Sequence, residues 1–305
     1  MNLKVKSKYN YKKKKFFEIY LSRNNKKVLN IMELTILGNG YTSKYLSEKA
    51  LEKGFLVTII SRNIKESNSQ IKYVNFFDDK KVSKILQKDI VISTIPPDKD
   101  EIDPVIASYA KSITLNKNKI NYLSATSVYA NGTVYEDTKP NPNNHRGQVR
   151  LNAENSWIKA NIETVIYRIT GIYGPNRNPI ERYLKNNNKI TVKENYLPNR
   201  IHVEDLAEII INFIISNHKD KILNISDQDL VSNLDAITYI AKKLNLPKPN
   251  IIEYNSNEVS EMAKSFYETS RIVKSNIIGH HFKYSYKYPD YKTALLELTK
   301  KIINK

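Results

Sequence analysis

The chain has 305 residues, no cysteine, five scattered histidines and a net charge of +18. The absence of cysteine excludes disulfides, a thiol nucleophile and thiolate metal sites. No His, Asp and Glu group has metal-ligand spacing, so no metal is expected, and no apolar run approaches the roughly 18 residues that a membrane span needs.

Charge is spread unevenly. Residues 1–31 hold nine lysines (4, 6, 8, 12–15, 26 and 27) and Arg23 against Glu18 alone, a net of +9. Three readings fit this basic segment, which is expected to be disordered. It is a tail that touches nucleic acid or membrane, or a targeting segment with Lys in place of the usual Arg, or it lies outside the mature protein, with Met32 as the true start. The last is favoured, because Met32 immediately precedes the first strand. Elsewhere Lys, Asn and Ile are frequent, a compositional bias on solvated faces that gives no reason to expect a nucleic-acid groove.

The first element is the most informative. Leu34–Leu37 is an apolar run suited to a strand buried on both faces, and it leads into Gly38-Asn39-Gly40-Tyr41-Thr42-Ser43. Gly38 allows a tight turn with positive φ, and Gly40, without a Cβ, lets backbone approach a phosphate. Leu46, Ala50 and Leu51 then form a helical stripe from Tyr41 to about Lys53. Exposed N–H groups and the helix dipole at such a start attract an anion. Ser43 occupies the third small position of the dinucleotide fingerprint. Gly54 closes the helix, and Phe55–Ile60 gives a second strand. The whole βαβ context points to nucleotide binding.

The second strand ends in Ser61-Arg62, where an NAD site has an acidic residue for the ribose 2′-hydroxyl. A guanidinium and a hydroxyl suit a 2′-phosphate, so NADP is favoured over NAD. Tyr73–Phe76 is the third predicted strand. Asp89–Thr94 is the fourth and ends at Ile95-Pro96-Pro97. A helix over Pro104–Ile113, a strand over Lys119–Ser124, a loop over 130–144, a helix over Gly147–Ala160 with Trp157 packed, and a strand over Glu163–Arg168 follow. This alternation predicts an α/β fold, a Rossmann-type doubly wound parallel sheet. Beyond Gly171 the pattern loosens. Helices near 204–216 and 233–244 and strands near 221–225 and 250–254 suggest a smaller C-terminal lobe. The expected division is 32–170 for the nucleotide-binding domain and 171–305 for the lobe, which completes the sheet and covers the cofactor. Ligands bind at the carboxyl ends of such strands. Gly38–Ser43, Arg62, Thr94–Pro97, Ser124–Tyr129 and Gly171–Gly174 therefore surround one crevice.

Several segments together resemble the extended short-chain dehydrogenase/reductases, within them the atypical epimerase/dehydratase-like group of YeeZ type. They are Gly38-Asn39-Gly40-Tyr41, Ser93-Thr94-Ile95-Pro96-Pro97, Tyr122–Tyr129, Arg146-Gly147 with Arg150 and Ala153-Glu154, Arg168–Pro175, and Asn199–Ala207. The resemblance covers about residues 33–300. It implies a nicotinamide cofactor held by Gly38, Gly40, Tyr41, Thr42, Ser43, Ser61, Arg62, Thr94, Ile95 and Pro96. A small-molecule substrate, a homodimer and a cytoplasmic location are the further expectations.

The family's chemistry uses a Tyr, a Lys four residues later on the same helix face, and a Ser or Thr. By the resemblance these positions fall on Arg146, Arg150 and Ala125. An arginine stays protonated, so Arg146 cannot be the usual acid or base. Ser124, Thr126 and Ser127 flank Ala125, and a register shift of one restores a hydroxyl. Tyr-x-x-x-Lys also occurs at Tyr9, Tyr11, Tyr45, Tyr135, Tyr239 and Tyr288. Only Tyr135–Lys139 is near the right place, and Pro140 disfavours helical geometry there. Tyr129 and Tyr173 are candidate phenols beside the crevice, although packing at strand ends accounts for them better. Arg146 and Arg150 are read equally as an anion clamp or as a solvated face with Arg150 paired to Glu154, a pairing worth only ~0.3–0.5 kcal/mol. His202 is read as ordering the turn before the next helix. The expected function is an NADP-dependent oxidoreductase or epimerase with non-standard catalytic groups. The alternative is a non-catalytic NADP-binding sensor or scaffold.

Overall fold

Seven parallel strands form the central sheet of the computed structural model, which describes residues 32–304 apart from 99, 217, 228 and 266. The basic segment 1–31 lies outside the described residues. In chain order the first half contains β1 (Glu33–Leu37), α1 (Tyr41–Glu52), β2 (Leu56–Ser61), β3 (Ile71–Asn75), α2 (Asp79–Leu86), β4 (Ile90–Ser93), α3 (Pro104–Leu115), β5 (Ile120–Ala125), β6 (Gly132–Val134), α4 (His145–Ala160) and β7 (Val165–Ile169). The second half contains β8 (Gly171–Tyr173), α5 (Pro179–Lys185), β9 (Lys189–Val192), β10 (Arg200–His202), α6 (Val203–Ile215), β11 (Ile222–Ile225), α7 (Asn233–Leu244), β12 (Asn250–Glu253), α8 (Glu261–Ser265), β13 (Arg271–Val273) and α9 (Tyr291–Ile303).

The sheet order is β11-β7-β5-β4-β1-β2-β3. The chain leaves β1 toward β2 and β3, then returns to β4 on the other side. The order therefore reverses between β1 and β4, where a doubly wound sheet opens its ligand crevice. Strand residues alternate between two apolar layers. Leu34, Ile36, Ile59 and Ile92 face the layer with Leu46 of α1 and Ile209, Ile210 and Phe213 of α6. Leu37, Ile60, Val91 and Ile166 face the layer with Val82 of α2, Val105 and Ile113 of α3 and Trp157 of α4. Burial on both faces explains why these strands read as unbroken apolar runs. Trp157 is fully buried and donates to Asp103 Oδ2 at 2.8 Å, which ties α4 to the start of α3.

Three features differ from the sequence expectations. The span 130–144 is not wholly loop, since β6 pairs in parallel with β13 in register Arg271↔Gly132. Helix α2 joins β3 to β4 where no helix was expected. Its N-cap, Asp78, accepts from Lys81 N at 3.2 Å, and Val82, Ile85 and Leu86 give it a short apolar stripe at i, i+3 and i+4. Residues beyond 171 contain short parallel pairs, β8 with β10 and β9 with β12. They pack with α7 and α9 around Tyr183, Ile237, Ile240, Leu295 and Leu298. One strand of that half, β11, joins the main sheet beside β7. Among the described residues no helix is long and apolar enough to cross a membrane.

Candidate cofactor and active site

The turn from β1 into α1 lies at the sheet's switch point, and a line of hydrogen bonds sets its shape. Gly40 N donates to Ser43 Oγ at 3.3 Å. Ser43 Oγ lies 2.9 Å from Thr94 Oγ1, and Thr94 Oγ1 donates to Leu37 O at 2.9 Å. Thr94 has one hydroxyl proton and Leu37 O receives it, so Ser43 is the donor to Thr94. A serine at the third small position thus joins the α1 turn to the end of β4. Gly38 is required twice over. Its φ is +105°, and a Cβ there would come within 2.4 Å of Thr94 Oγ1.

Gly40 is different. A Cβ there would meet nothing within 4 Å, and the residue is exposed. The first-turn N–H groups, those of Tyr41 and Thr42 among them, have no acceptor within the helix. No acidic residue occupies that turn. The positive end of α1 therefore has no acidic side chain in its own first turn. Gly38, Gly40, Tyr41, Thr42, Ser43 and Thr94 come together at one place. Thr94 and Ile95 are half-buried and Pro96 is exposed on the facing β4 loop. At the end of β2, Ser61 is buried and its hydroxyl donates to Asn63 O at 2.6 Å, which leaves it able only to accept. Arg62 beside it is exposed.

The catalytic positions are built otherwise. Ser124, at the end of β5, is buried and donates to Glu154 Oε1 at 2.5 Å. Glu154 is 1% exposed and paired with Arg168, Nη2 to Oε2 at 2.8 Å, with Arg168 Nε 3.2 Å from both carboxylate oxygens. Arg168 Nη1 donates to Tyr129 OH at 2.9 Å. That phenol lies 2.8 Å from Asn224 Oδ1 and 3.0 Å from Tyr135 O, so its one proton is spent within the protein. The i, i+4 pairing of Arg150 with Glu154 does not form, because Arg168 holds the carboxylate. Arg150 Nη1 instead donates to Tyr122 OH at 2.9 Å.

Thr126 and Ser127 form a 3-10 turn with Val128 at the end of β5, Thr126 buried and Ser127 half-buried. Helix α4 presses against this turn, and a Cβ on Gly147 would come within 2.3 Å of Ser127 O. Arg146, next in the chain to Gly147, is exposed. Desolvation and the like charge of Arg150 push its guanidinium below the ordinary arginine value. Tyr135 lies in a turn after β6, outside any helix.

His202 caps α6, its Nδ1 accepting from Glu204 N at 3.3 Å. It is 1% exposed, and burial pushes its pKa down to about 4. The neutral ring then carries its proton on Nε2, which has no partner. Tyr173 packs edge-on against His202 at 5.1 Å and against Tyr291 at 4.9 Å. Burial raises its phenol, whose oxygen is also unpartnered. Among the described residues no His, Asp and Glu group could hold a metal ion.

Sequence reasoning missed the Glu154–Arg168 pair. Its signal was an arginine inside the apolar strand β7, since a buried guanidinium requires a buried acceptor. It also missed Arg177, whose neighbour Tyr41 is 136 residues earlier.

No protein-family model matches the chain, and no curated protein matches it. Solved structures do. A functionally unknown conserved protein from Silicibacter pomeroyi DSS is 26% identical with a TM-score of 0.78, over 88% of this chain and 99% of that one. UDP-N-acetylglucosamine 4-epimerase from Bacillus cereus is 16% identical with a TM-score of 0.68, over 89% and 99%. Human epimerase family protein SDR39U1, solved with NADPH, is 14% identical with a TM-score of 0.67, over 88% and 99%. These likenesses agree with the motif resemblance, and the chain has the α/β fold of the epimerase/dehydratase-type extended short-chain dehydrogenase/reductases.

Proposed function

We propose that the chain binds NADP(H) in the crevice above β1 and β4 and acts as an NADP-dependent oxidoreductase or epimerase with non-standard catalytic groups. The observation that carries this reading is the open helix start. The Gly40 position has no atom within 4 Å of an added Cβ, and the first turn of α1 has no acid. That combination suits a diphosphate. Arg62 at the end of β2 supports NADP over NAD, since a guanidinium gives paired bonds to a 2′-phosphate. The neighbour solved with NADPH makes a nicotinamide cofactor the natural occupant. Residues 171–305 are the lobe that covers the cofactor bound to residues 32–170.

When bound, the nicotinamide would supply or accept a hydride. The chain's own part is positioning. Thr126 and Ser127 hold a substrate oxygen at the end of β5. Arg146 and Arg150 hold an anionic substrate group or a ribose. A guanidinium is no general acid or base in a protein, so proton transfer falls to a hydroxyl or to solvent. A second reading, a cofactor sensor or scaffold without turnover, is favoured by the closed Ser124–Glu154–Arg168–Tyr129 network, which spends the phenol and the carboxylate internally.

Comparing NADPH and NADH affinities in the wild type and in Arg62→Ala tests the cofactor reading. The wild type is expected to prefer NADPH at least tenfold, about 1.4 kcal/mol, and Arg62→Ala to lose that preference. Equal affinities in the wild type would overturn the choice of NADP. Substrate-dependent oxidation of bound NADPH separates the enzyme from the sensor.

A further inference from the structure

Arg177 lies in the turn between β8 and α5, far in sequence from the cofactor loop. In space it reaches that loop, with its guanidinium carbon 5.5 Å from the centroid of the Tyr41 ring. Tyr41 is the first residue of α1, the residue whose backbone N–H opens the phosphate cradle.

The turn that carries Arg177 is rigid. Gly174 and Arg177 exchange backbone hydrogen bonds of 3.0 and 3.1 Å. Asn178 Nδ2 donates to Gly174 O at 3.0 Å, and Asn178 Oδ1 caps α5. The turn is also pressed onto the cofactor loop. Gly174 has φ +153°, and a Cβ there would come within 2.8 Å of both Tyr41 OH and Val203 Cγ1. The backbone of Arg177 is thus fixed relative to the start of α1. Its side chain is exposed and forms no ion pair with a described carboxylate. A fixed backbone, an aromatic ring to lie against and an uncommitted cation beside an open helix start together describe a phosphate ligand.

We propose that Arg177 is a cofactor-binding residue that reaches across from the β8–α5 turn to the diphosphate of the dinucleotide. This rests on the nucleotide reading above. The N-terminus of α1 holds the diphosphate from one side with backbone N–H groups. Arg177 supplies a full positive charge beside the start of α1. Because β8, β10 and α5 belong to the C-terminal half, cofactor binding by this residue also fastens that half to the nucleotide fold.

The test is calorimetric titration of the full chain and of Arg177→Gln and Arg177→Lys with three ligands. NADPH and ADP-ribose contain the diphosphate, and adenosine 2′-phosphate does not. Arg177→Gln is expected to weaken NADPH and ADP-ribose at least tenfold and to leave adenosine 2′-phosphate unchanged. Arg177→Lys, which keeps the charge without the planar fork, is expected to recover part of the loss. Thermal melting that coincides with wild type shows that the variants fold. Wild-type affinity for NADPH and ADP-ribose in Arg177→Gln overturns the proposal and leaves the nucleotide reading intact. Equal weakening of all three ligands also overturns it. A wild-type chain that binds neither NADPH nor ADP-ribose overturns both.

Discussion

The crevice at β1 and β4 and the segment around β5 and α4 lie at the same end of one sheet, yet they treat their polar groups in opposite ways. At β1 the polar chain Gly40–Ser43–Thr94–Leu37 shapes a turn and leaves the helix start open. At β5 the chain Ser124–Glu154–Arg168–Tyr129 closes on itself. The first arrangement leaves the first turn of α1 without an acidic side chain. The second satisfies a buried charge pair and hands out nothing. The two ends of the strands thus differ in whether their polar groups are spent on each other. A shared architecture predicts what is held better than what is done.

The sharpest way to break this comparison is to open the closed network. Glu154→Leu leaves Arg168 buried without its counter-charge and is expected to cost about 3–5 kcal/mol in urea unfolding. NADPH affinity of the folded fraction stays near wild type. A loss below about 1 kcal/mol would mean that the pair does not hold α4 against β7.

A pH titration probes a third place, the start of α6 at His202. Its folded-state pKa of about 4 lies below the ordinary 6.5. The unfolded chain therefore binds the proton first as the pH falls, and stability is lost between pH 6.5 and 4. The single-site loss is on the order of 3 kcal/mol. His202→Asn keeps an acceptor for Glu204 N but does not titrate, so its stability profile over that range is expected to be flatter. Parallel profiles would contradict the burial of a neutral ring.

The smallest of the three effects concerns the open region. Gly38→Ala places a Cβ 2.4 Å from Thr94 Oγ1 at a φ of +105°. Strain of this kind costs about 1–3 kcal/mol, and the turn it distorts is the cradle, so NADPH affinity falls with stability. Unchanged affinity would show that the turn's shape does not matter for binding.

The sequence was legible where the causes are local. The run Leu34–Leu37, the glycine pair and the stripe Leu46–Ala50 lie within 17 residues, and each follows from burial or backbone freedom at that point. The core strands were legible for the same reason, because burial on both faces makes them apolar throughout. The pairing of β6 with β13 was not, since three-residue strands carry no periodicity and their partners lie about 140 residues apart. The network around Arg168 was half legible. The sequence displayed a strand arginine, but only packing chose Arg168 over Arg150 as the partner of Glu154. Arg177 gave no local sign, because its meaning comes from the turn at Gly174 folding back onto Tyr41.

The most direct measurement of the central claim is a calorimetric titration of NADPH into the wild type and Gly40→Asp. Gly40 has φ −97° and ψ −166°, which any residue adopts, and open space where a side chain would go. The variant therefore folds while placing a carboxylate in front of the α1 N-terminus. NADPH is expected to bind the wild type and not Gly40→Asp, with coincident thermal melts of the two free proteins. Equal NADPH affinity in the two would contradict it.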